Sequence, residues 1–285
     1  MKLIAIDLDG TLLTAESKPS LEGLQAIHNI LSANDHEITI CTGRARFDVL
    51  GIIGEEIPLP IISSNGAAVH DERGQLLQET PIPHSTAAEA INYLMAQDVY
   101  FEIFCPDEIY TPFSGTSKLQ AEVDILVSAN PDIDIATLQS GIQTQMHQFG
   151  IQQIDDPREV LRAGTPIYKL LLFTYDNAKL RLINKHFQNQ ESVQTTAAAN
   201  HTLEIISTET DKGSALQFLA SYYNIDMADT IVIGDNYNDI SMFQVAGTRV
   251  AMGNAVDEIK RLSTLTTRSN NEHGVAYALN SLLNL

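Results

Sequence analysis

The chain has 285 residues, of which 36 are Asp or Glu and 17 are Lys or Arg, for a formal net charge of −19. That length suits two domains with separate cores, and 44% hydrophobic with 19% charged residues excludes a disordered chain. The acidity argues against nucleic acid and anionic membrane as partners, because both need a basic face.

The first 82 residues alternate strand and helix signals. Leu3–Ile6 reads as a buried strand ending in Asp7-Leu8-Asp9-Gly10. Ser20 is an N-cap candidate for a helix with Leu21, Leu24, Ile27, Ile30 and Leu31 on one face. Glu37–Cys41 is a second strand, followed by Thr42-Gly43-Arg44 and a helix near Phe47–Ile53. Leu59–Ser63 is a third strand, and Ala67–His70 with Gln75–Gln78 reads as a hairpin. The alternation predicts a parallel sheet with helices on both faces, whose ligands sit beyond the carboxyl ends of the strands.

Thr80-Pro81-Ile82-Pro83 is a stiff connector, and the pattern changes after it. Residues 83–207 predict helix Ser85–Ala96, strands Tyr100–Cys105 and Ile109–Thr111, and helices near Ser117–Ser128 and Gln139–Gly150. Strand Ile167–Thr174, helix Asn177–Gln188 and a hairpin of Ser192–Ala197 with Thr202–Ile206 follow, while 129–166 carries little periodic signal. Consecutive strands imply an α+β module with an antiparallel sheet. From 208 to 285 the first pattern returns. A helix from Lys212 to Tyr223 leads to strand Thr230–Gly234, the loop Asp235-Asn236-Tyr237-Asn238-Asp239 and a helix to Val245. Strand Thr248–Ala251, helix Val256–Leu262, strand Thr264–Thr267 and helix Gly274–Leu282 complete it. The expectation is one α/β domain, residues 1–82 and 208–285, interrupted by an inserted domain, 83–207.

Asp7 and Asp9 are two apart at a strand end, so extended geometry points both side chains the same way. Asp235 and Asp239 bracket another strand-end loop. Two such loops on neighbouring strands suit a hard divalent cation such as Mg²⁺. Each loop alone has a plain structural reading as well: Asp9-Gly10 is a common turn pair, and Asp239 before a helix is a natural N-cap. Thr42-Gly43 offers a hydroxyl and open N–H groups to phosphoryl oxygens, or is ordinary loop chemistry. Lys212 stands in a helix's first turn, where the macrodipole disfavours a cation; it either awaits an anion or pairs with Asp211. Tyr100, Phe101, Phe104, Tyr110 and Phe113 read as packing, with a sugar platform as the alternative. Cys41 reads as a small buried hydrophobe. Two cysteines make neither a disulfide framework nor a four-thiolate zinc site, and the eight histidines have no zinc spacing. Asp7 interrupts any signal-peptide apolar run and no stretch is long and apolar enough to span a bilayer, so a cytoplasmic protein is expected.

Taken in order, these motifs resemble the haloacid dehalogenase (HAD) superfamily, and specifically its Cof-type, class IIB branch. The match is carried by Asp7-Leu8-Asp9-Gly10-Thr11-Leu12-Leu13, Thr42-Gly43-Arg44, Lys212-Gly213, and Gly234-Asp235-Asn236-Tyr237-Asn238-Asp239 with Met242. Smaller marks are Ser64-Asn65-Gly66-Ala67, Ala251-Met252-Gly253-Asn254-Ala255 and Asn270 with Gly274-Val275-Ala276. The resemblance implies a Rossmann-like core with an inserted cap that closes over it, excludes water and sets specificity. It implies a Mg²⁺-dependent phosphatase acting on small phosphate monoesters, often sugar phosphates. Asp7 would be the nucleophile that forms an aspartyl-phosphate, and Asp9 the acid and base. The metal would take the Asp7 and Asp235 carboxylates and the Asp9 backbone carbonyl, with Asp239 in support. Thr42, Gly43, Lys212 and Asn238 would hold phosphoryl oxygens, and Arg44 would reach substrate. The acidic approach Ser207–Asp211 departs from the branch, and Asp211 is placed to draw the Lys212 ammonium aside. A small phosphorylated metabolite is the expected partner, and a monomer or weak homodimer the expected state. The rivals are a phosphomutase or phosphotransferase of the same superfamily, and a phospholigand-binding protein without catalysis.

Overall fold

The computed structural model of the chain describes every residue except 34, 55–56, 130–133, 147–148, 197–200 and 284–285. The chain divides into two compact units, Met1–Thr80 with Thr210–Leu285, and Pro81–Glu209. The first begins with β1 (Leu3–Ile6), α1 (Leu21–Ala33), β2 (Glu37–Cys41), α2 (Arg46–Ile53), β3 (Ile61–Ser63) and the hairpin β4 (Ala68–His70) and β5 (Leu76–Glu79). Ser20 caps α1 as expected, its Oγ accepting from the Gly23 N–H at 3.1 Å.

The second unit runs α3 (His84–Ala96), β6 (Tyr100–Phe104), β7 (Ile109–Pro112), α4 (Gly115–Ala129), α5 (Ile135–Met146), β8 (Ile151–Ile154) and α6 (Arg158–Arg162). It continues through β9 (Lys169–Phe173), α7 (Asn177–Phe187), β10 (Val193–Thr196) and β11 (Thr202–Ser207). The weakly patterned stretch 129–166 therefore holds a helix, a strand and a short helix. The expected ends of a helix at 147–150 and of a strand at Ala197 include 147–148 and 197, which lie outside the described residues. The six strands follow the order β10-β11-β9-β6-β7-β8. Antiparallel pairing was expected throughout, yet β7 and β8 pair in parallel. The reason is topological: two helices lie between them, and a crossover returns the chain in the same direction where a tight turn cannot.

One face of this sheet packs Phe101, Ile103, Leu170, Leu172, Leu203 and Ile205 into a core with helices α3 and α7. The opposite face carries Tyr100, Phe104 and a buried Lys169–Glu204 ion pair at 2.5 Å. Of the five aromatic residues singled out, Tyr100, Phe101 and Phe104 are buried, Tyr110 is half-buried and Phe113 is exposed.

The chain returns to the first unit with α8 (Lys212–Tyr222), β12 (Thr230–Gly234), α9 (Ile240–Val245), β13 (Thr248–Ala251), α10 (Asp257–Leu262), β14 (Leu265–Thr266) and α11 (Gly274–Leu283). Its sheet has the order β14-β13-β12-β1-β2-β3-β4-β5. The first six strands are parallel, and β4 and β5 run antiparallel at one edge. From β1 the chain first builds outward through β2 and β3, and after the insertion it builds the other way through β12, β13 and β14. The order reverses between β1 and β12. Such a reversal opens a crevice at the carboxyl ends of the strands, because the loops there turn to opposite faces. β1 is fully apolar, β12 has Thr230 and β2 has Glu37 and Thr39 as polar side chains, and all three strands are buried apart from the half-buried Glu37.

Ser64, Asn65 and Gly66, after β3, all have positive φ, at 49°, 56° and 98°. A Cβ on Gly66 would lie 2.3 Å from the Asp211 carbonyl oxygen, just before α8. Gly66→Ala is expected to lower stability by about 2 kcal/mol, read as a shift in the urea midpoint at constant slope.

Candidate active site

The site is built where β1, β2 and β12 end side by side. The Asp7 N–H donates to the Ile233 carbonyl at 3.0 Å, which carries the β1–β12 ladder one residue past the strand and fixes the Asp7 backbone. Its carboxylate is buried, 3% exposed. Oδ1 accepts from the Lys212 ammonium at 2.6 Å, and the same Nζ donates to Asp239 Oδ1 at 2.7 Å. Lys212 is fully buried at the first position of α8. Asp211 does not draw it aside. Its carboxylate instead accepts from the Ser214 N–H at 2.7 Å while its own N–H donates to Ser214 Oγ at 2.9 Å, a reciprocal cap that satisfies the helix start. With Asp211 so engaged, the cation at the positive end of the helix is compensated by Asp7 and Asp239.

Asp239 uses its other oxygen within its own loop, where Oδ2 accepts from the N–H groups of Asp235 and Asn236 at 2.8 and 3.0 Å. Asp239 does stand at the N-cap position of α9, but its side chain makes no cap hydrogen bond to that helix. It turns back to close the preceding turn begun by Asn236, and it has no exposed surface. Carboxylate oxygens of Asp7, Asp235 and Asp239 lie within 4.8 Å of one another. Thr11 Oγ1 donates to Asp235 Oδ1 at 2.8 Å. A Cβ on Gly10 would lie 2.4 Å from Asp235 Oδ2, so the two loops meet only because position 10 is glycine.

Five further predicted site residues, Thr42, Gly43, Asn238, Asp9 and Arg44, lie around this cluster. Thr42 is buried, and its Oγ1 accepts from the Arg44 N–H at 3.2 Å. A Cβ on Gly43 would stand 3.0 Å from Asn65 Oδ1, the oxygen that also accepts from Asn238 Nδ2 at 3.3 Å. Asn65 therefore ties the loop after β2 to the loop after β12. Asp9 is not among the three clustered carboxylates. Both its oxygens are held by Arg44, Oδ2 by Nε and Oδ1 by Nη2, each at 2.8 Å. Arg44 Nη1 donates in turn to Asp48 Oδ2 at 2.7 Å.

Sequence reasoning assigned no role to Thr11, Asp48 or Asn65. The sequence signal for Asn65 was the Asn-Gly pair that follows a strand; in the structure Asn65 itself has a φ of 56°, a backbone that Asn tolerates better than most residues. Two smaller motif residues also gain a purpose. Asn254 Nδ2 donates to the Gly10 carbonyl at 2.8 Å and its Oδ1 accepts from the Asn270 N–H at 2.9 Å. Asn270 Nδ2 donates to the Leu13 carbonyl at 2.8 Å. Together they brace the loop that carries Asp7.

Burial, then the neighbouring Asp239, push the Asp7 carboxyl well above the usual carboxylate range, with Lys212 pulling the other way. Burial and Asp239 likewise push Asp235 up to about 7. Burial opposes the charge on Lys212, but Asp239 and Asp7 outweigh it and hold the ammonium well above its ordinary value. Burial drives the Cys41 thiol up, so it packs as an apolar side chain. A cluster of oxygen donors that holds protons this tightly carries surplus negative charge. Its donor chemistry fits a hard, oxygen-seeking divalent cation.

Residues 4–279 match the family model of the haloacid dehalogenase-like hydrolases. The chain belongs to this family. It is 43% identical over 283 residues to a Bacillus subtilis 5-amino-6-(5-phospho-D-ribitylamino)uracil phosphatase, YwtE, covering 99% of this chain and 98% of the relative. It is 38% identical over 286 residues to the B. subtilis phosphatase YwpJ, covering 99% of this chain and all of that one. A solved haloacid dehalogenase-like hydrolase of B. subtilis superposes with a TM-score of 0.86 at 37% identity, over 99% of this chain and 100% of that chain. The HAD chain is thus a phosphatase with a Rossmann-like core and an inserted α+β domain. Among the described residues no helix is long and apolar enough to cross a membrane.

A pH dependence follows for this HAD site. The folded state binds the Asp235 proton more tightly than the unfolded chain does. Its stabilising contribution is complete below about pH 4 and is lost as pH rises through about 7. The melting temperature of EDTA-treated protein is expected to fall between pH 5 and 8. Added Mg²⁺ is expected to raise it, and more so at pH 8 than at pH 5. A melting temperature at pH 8 that ignores divalent cations contradicts the cluster as a cation site.

Proposed function

We propose that this protein is a Mg²⁺-dependent phosphatase that hydrolyses small phosphate monoesters, sugar phosphates among them, through an aspartyl-phosphate on Asp7. The observation that carries this reading is the buried Asp7 carboxylate, held at 2.6 Å by Lys212 beside Asp235 and Asp239. Asp7 and Asp235, with the Asp9 carbonyl, would hold the Mg²⁺, which when bound neutralises the repulsion between a carboxylate nucleophile and phosphoryl oxygens.

Asp7 attacks phosphorus, and the bond from phosphorus to the ester oxygen breaks. Asp9 gives its proton to that leaving oxygen. A water then loses a proton to Asp9 and attacks the same phosphorus. The phosphorus–Asp7 bond breaks, and inorganic phosphate leaves. An ionised carboxylate needs no base to become a nucleophile. Burial and Asp239 hold the Asp7 carboxyl above its ordinary range, so it needs the charge offset that Lys212 gives and a bound cation would add, and it needs its oxygen aimed. Lys212 aims it, because the ammonium is pinned between Asp7 and Asp239 and cannot turn away. Thr42, Gly43, Lys212 and Asn238 hold the transferring oxygens, with Asn65 setting the spacing of two of them. Asp239 acts through Lys212 and through the Asp235 loop, which it shapes.

The compound in the B. subtilis relative's name is a phosphate monoester on a ribityl chain borne by an aminouracil, which supports a small phosphate monoester as the substrate class. The inserted domain is proposed as the cap that selects the leaving group. The strong acidity disfavours polyanionic substrates and supports a small cytoplasmic metabolite as partner. A monomer or weak homodimer is the proposed oligomeric state.

The test is phosphate release from a panel of sugar and sugar-alcohol phosphates, with Mg²⁺ or with EDTA. Asp7→Asn is expected to lower turnover at least about a thousandfold without lowering the melting temperature. Thr42→Ala is expected to cost about 3 kcal/mol in kcat/KM, roughly a hundredfold. Full activity in Asp7→Asn, or in EDTA, overturns the mechanism. Formation of an isomeric sugar phosphate in place of inorganic phosphate identifies a mutase.

A further inference from the structure

Arg44 was expected to reach substrate, but three of its N–H groups are already committed. Two form a fork onto both oxygens of Asp9, each at 2.8 Å, and the third reaches Asp48 at 2.7 Å. The Arg44 backbone is pinned as well. Its N–H donates to Thr42 Oγ1 at 3.2 Å and its carbonyl accepts from the Ser64 N–H at 2.9 Å. Asp48 lies in the first turn of α2, four residues on, with its side chain 9% exposed. The Asp9 side chain, by contrast, is 55% exposed.

We propose that Asp48 and Arg44 are positioning residues for Asp9: the buried Asp48 carboxylate sets the Arg44 guanidinium, and the guanidinium fork sets the plane and direction of the Asp9 carboxylate. The inference rests on the function proposed above, in which Asp9 handles the leaving-group and water protons. A partly exposed ion pair of this kind adds little stability, because solvent screens it and two side chains lose freedom. What a two-pronged guanidinium contributes is geometry. It accepts a carboxylate only in one plane, which a lysine cannot enforce. Among the described residues no other hydrogen bond holds the Asp9 side chain, and a proton donor displaced by an ångström loses much of its effect. The simpler alternative is that Asp48 only favours the start of α2 through the helix dipole.

The two readings separate on leaving-group chemistry. Nitrophenolate leaves phosphorus without a proton, whereas an alkoxide needs one. Hydrolysis of the phosphoenzyme needs a base in both cases. Asp48→Ala, Asp48→Asn and Arg44→Lys are compared with the unmodified protein by stopped flow, using p-nitrophenyl phosphate and glycerol 3-phosphate with Mg²⁺. Asp48→Ala and Arg44→Lys are expected to lower kcat on the alkyl ester at least about tenfold with KM unchanged. On the aryl ester both should show a nitrophenolate burst approaching one per site, larger than that of the unmodified protein, as the phosphoenzyme accumulates. Asp48→Asn keeps an oxygen acceptor for Arg44 Nη1 and is expected to recover most of the loss. The inference is overturned if Asp48→Ala matches the unmodified protein on both esters. It is also overturned if both esters slow equally, without a burst, and Asp48→Asn is no better, which is the signature of a merely structural role. An unmodified protein that releases no phosphate from either ester overturns the proposed function and this inference with it; an active one with an unaffected Asp48→Ala variant overturns this inference alone.

Discussion

The Lys212 ammonium, fully buried between Asp7 and Asp239, is the interaction on which the rest of the site depends. A buried cation is costly unless it is closely paired, and here two carboxylates pair with it. The Asp239 carboxylate is held further by two backbone N–H groups, whereas the extended strand ladder fixes the Asp7 backbone and leaves its carboxylate to Lys212. One charge therefore couples the ends of β1 and β12 to the start of α8, three elements far apart in sequence. Removing it would leave two carboxylates buried against each other with Asp235 close by.

Around that centre, the structure uses small residues and amides to bring loops together. Gly10 lets the Asp7 loop touch Asp235, and Gly66 lets the turn after β3 press against the backbone before α8. Asn65, Asn254 and Asn270 then bridge neighbouring loops with neutral hydrogen bonds. Neutral bridges are a sound choice next to three carboxylates, since they fix geometry without adding charge. The surplus negative charge is left at the cluster, where the oxygen donors suit a divalent cation.

Much of the core was legible from pattern alone. Short runs rich in apolar and β-branched residues, closed by polar loops, predicted β1, β2 and β12, because strands buried on both faces leave little room for polar side chains. The inserted unit was less legible. Its stretch from 129 to 166 combines short elements with weak periodicity, and the parallel pairing of β7 with β8 depends on a crossover that no local signal encodes. The doubt over Asp211 also came from adjacency in the chain. Only the tertiary structure shows its carboxylate turned into the helix cap.

The sequence by itself determined which residue types stand at the strand ends and in what order, and that order carries the family. It could not decide which carboxylates meet. Asp7 and Asp9 are neighbours in sequence, yet Asp7 is buried against Lys212 while Asp9 is drawn out to Arg44. The physical reason is that the positive-φ turn at Gly10 and the partners brought in by α8 and by the loop after β2 assign each carboxylate a different cation. Side-chain direction in a strand-end loop is set by such partners, and those become neighbours only when the sheet is assembled.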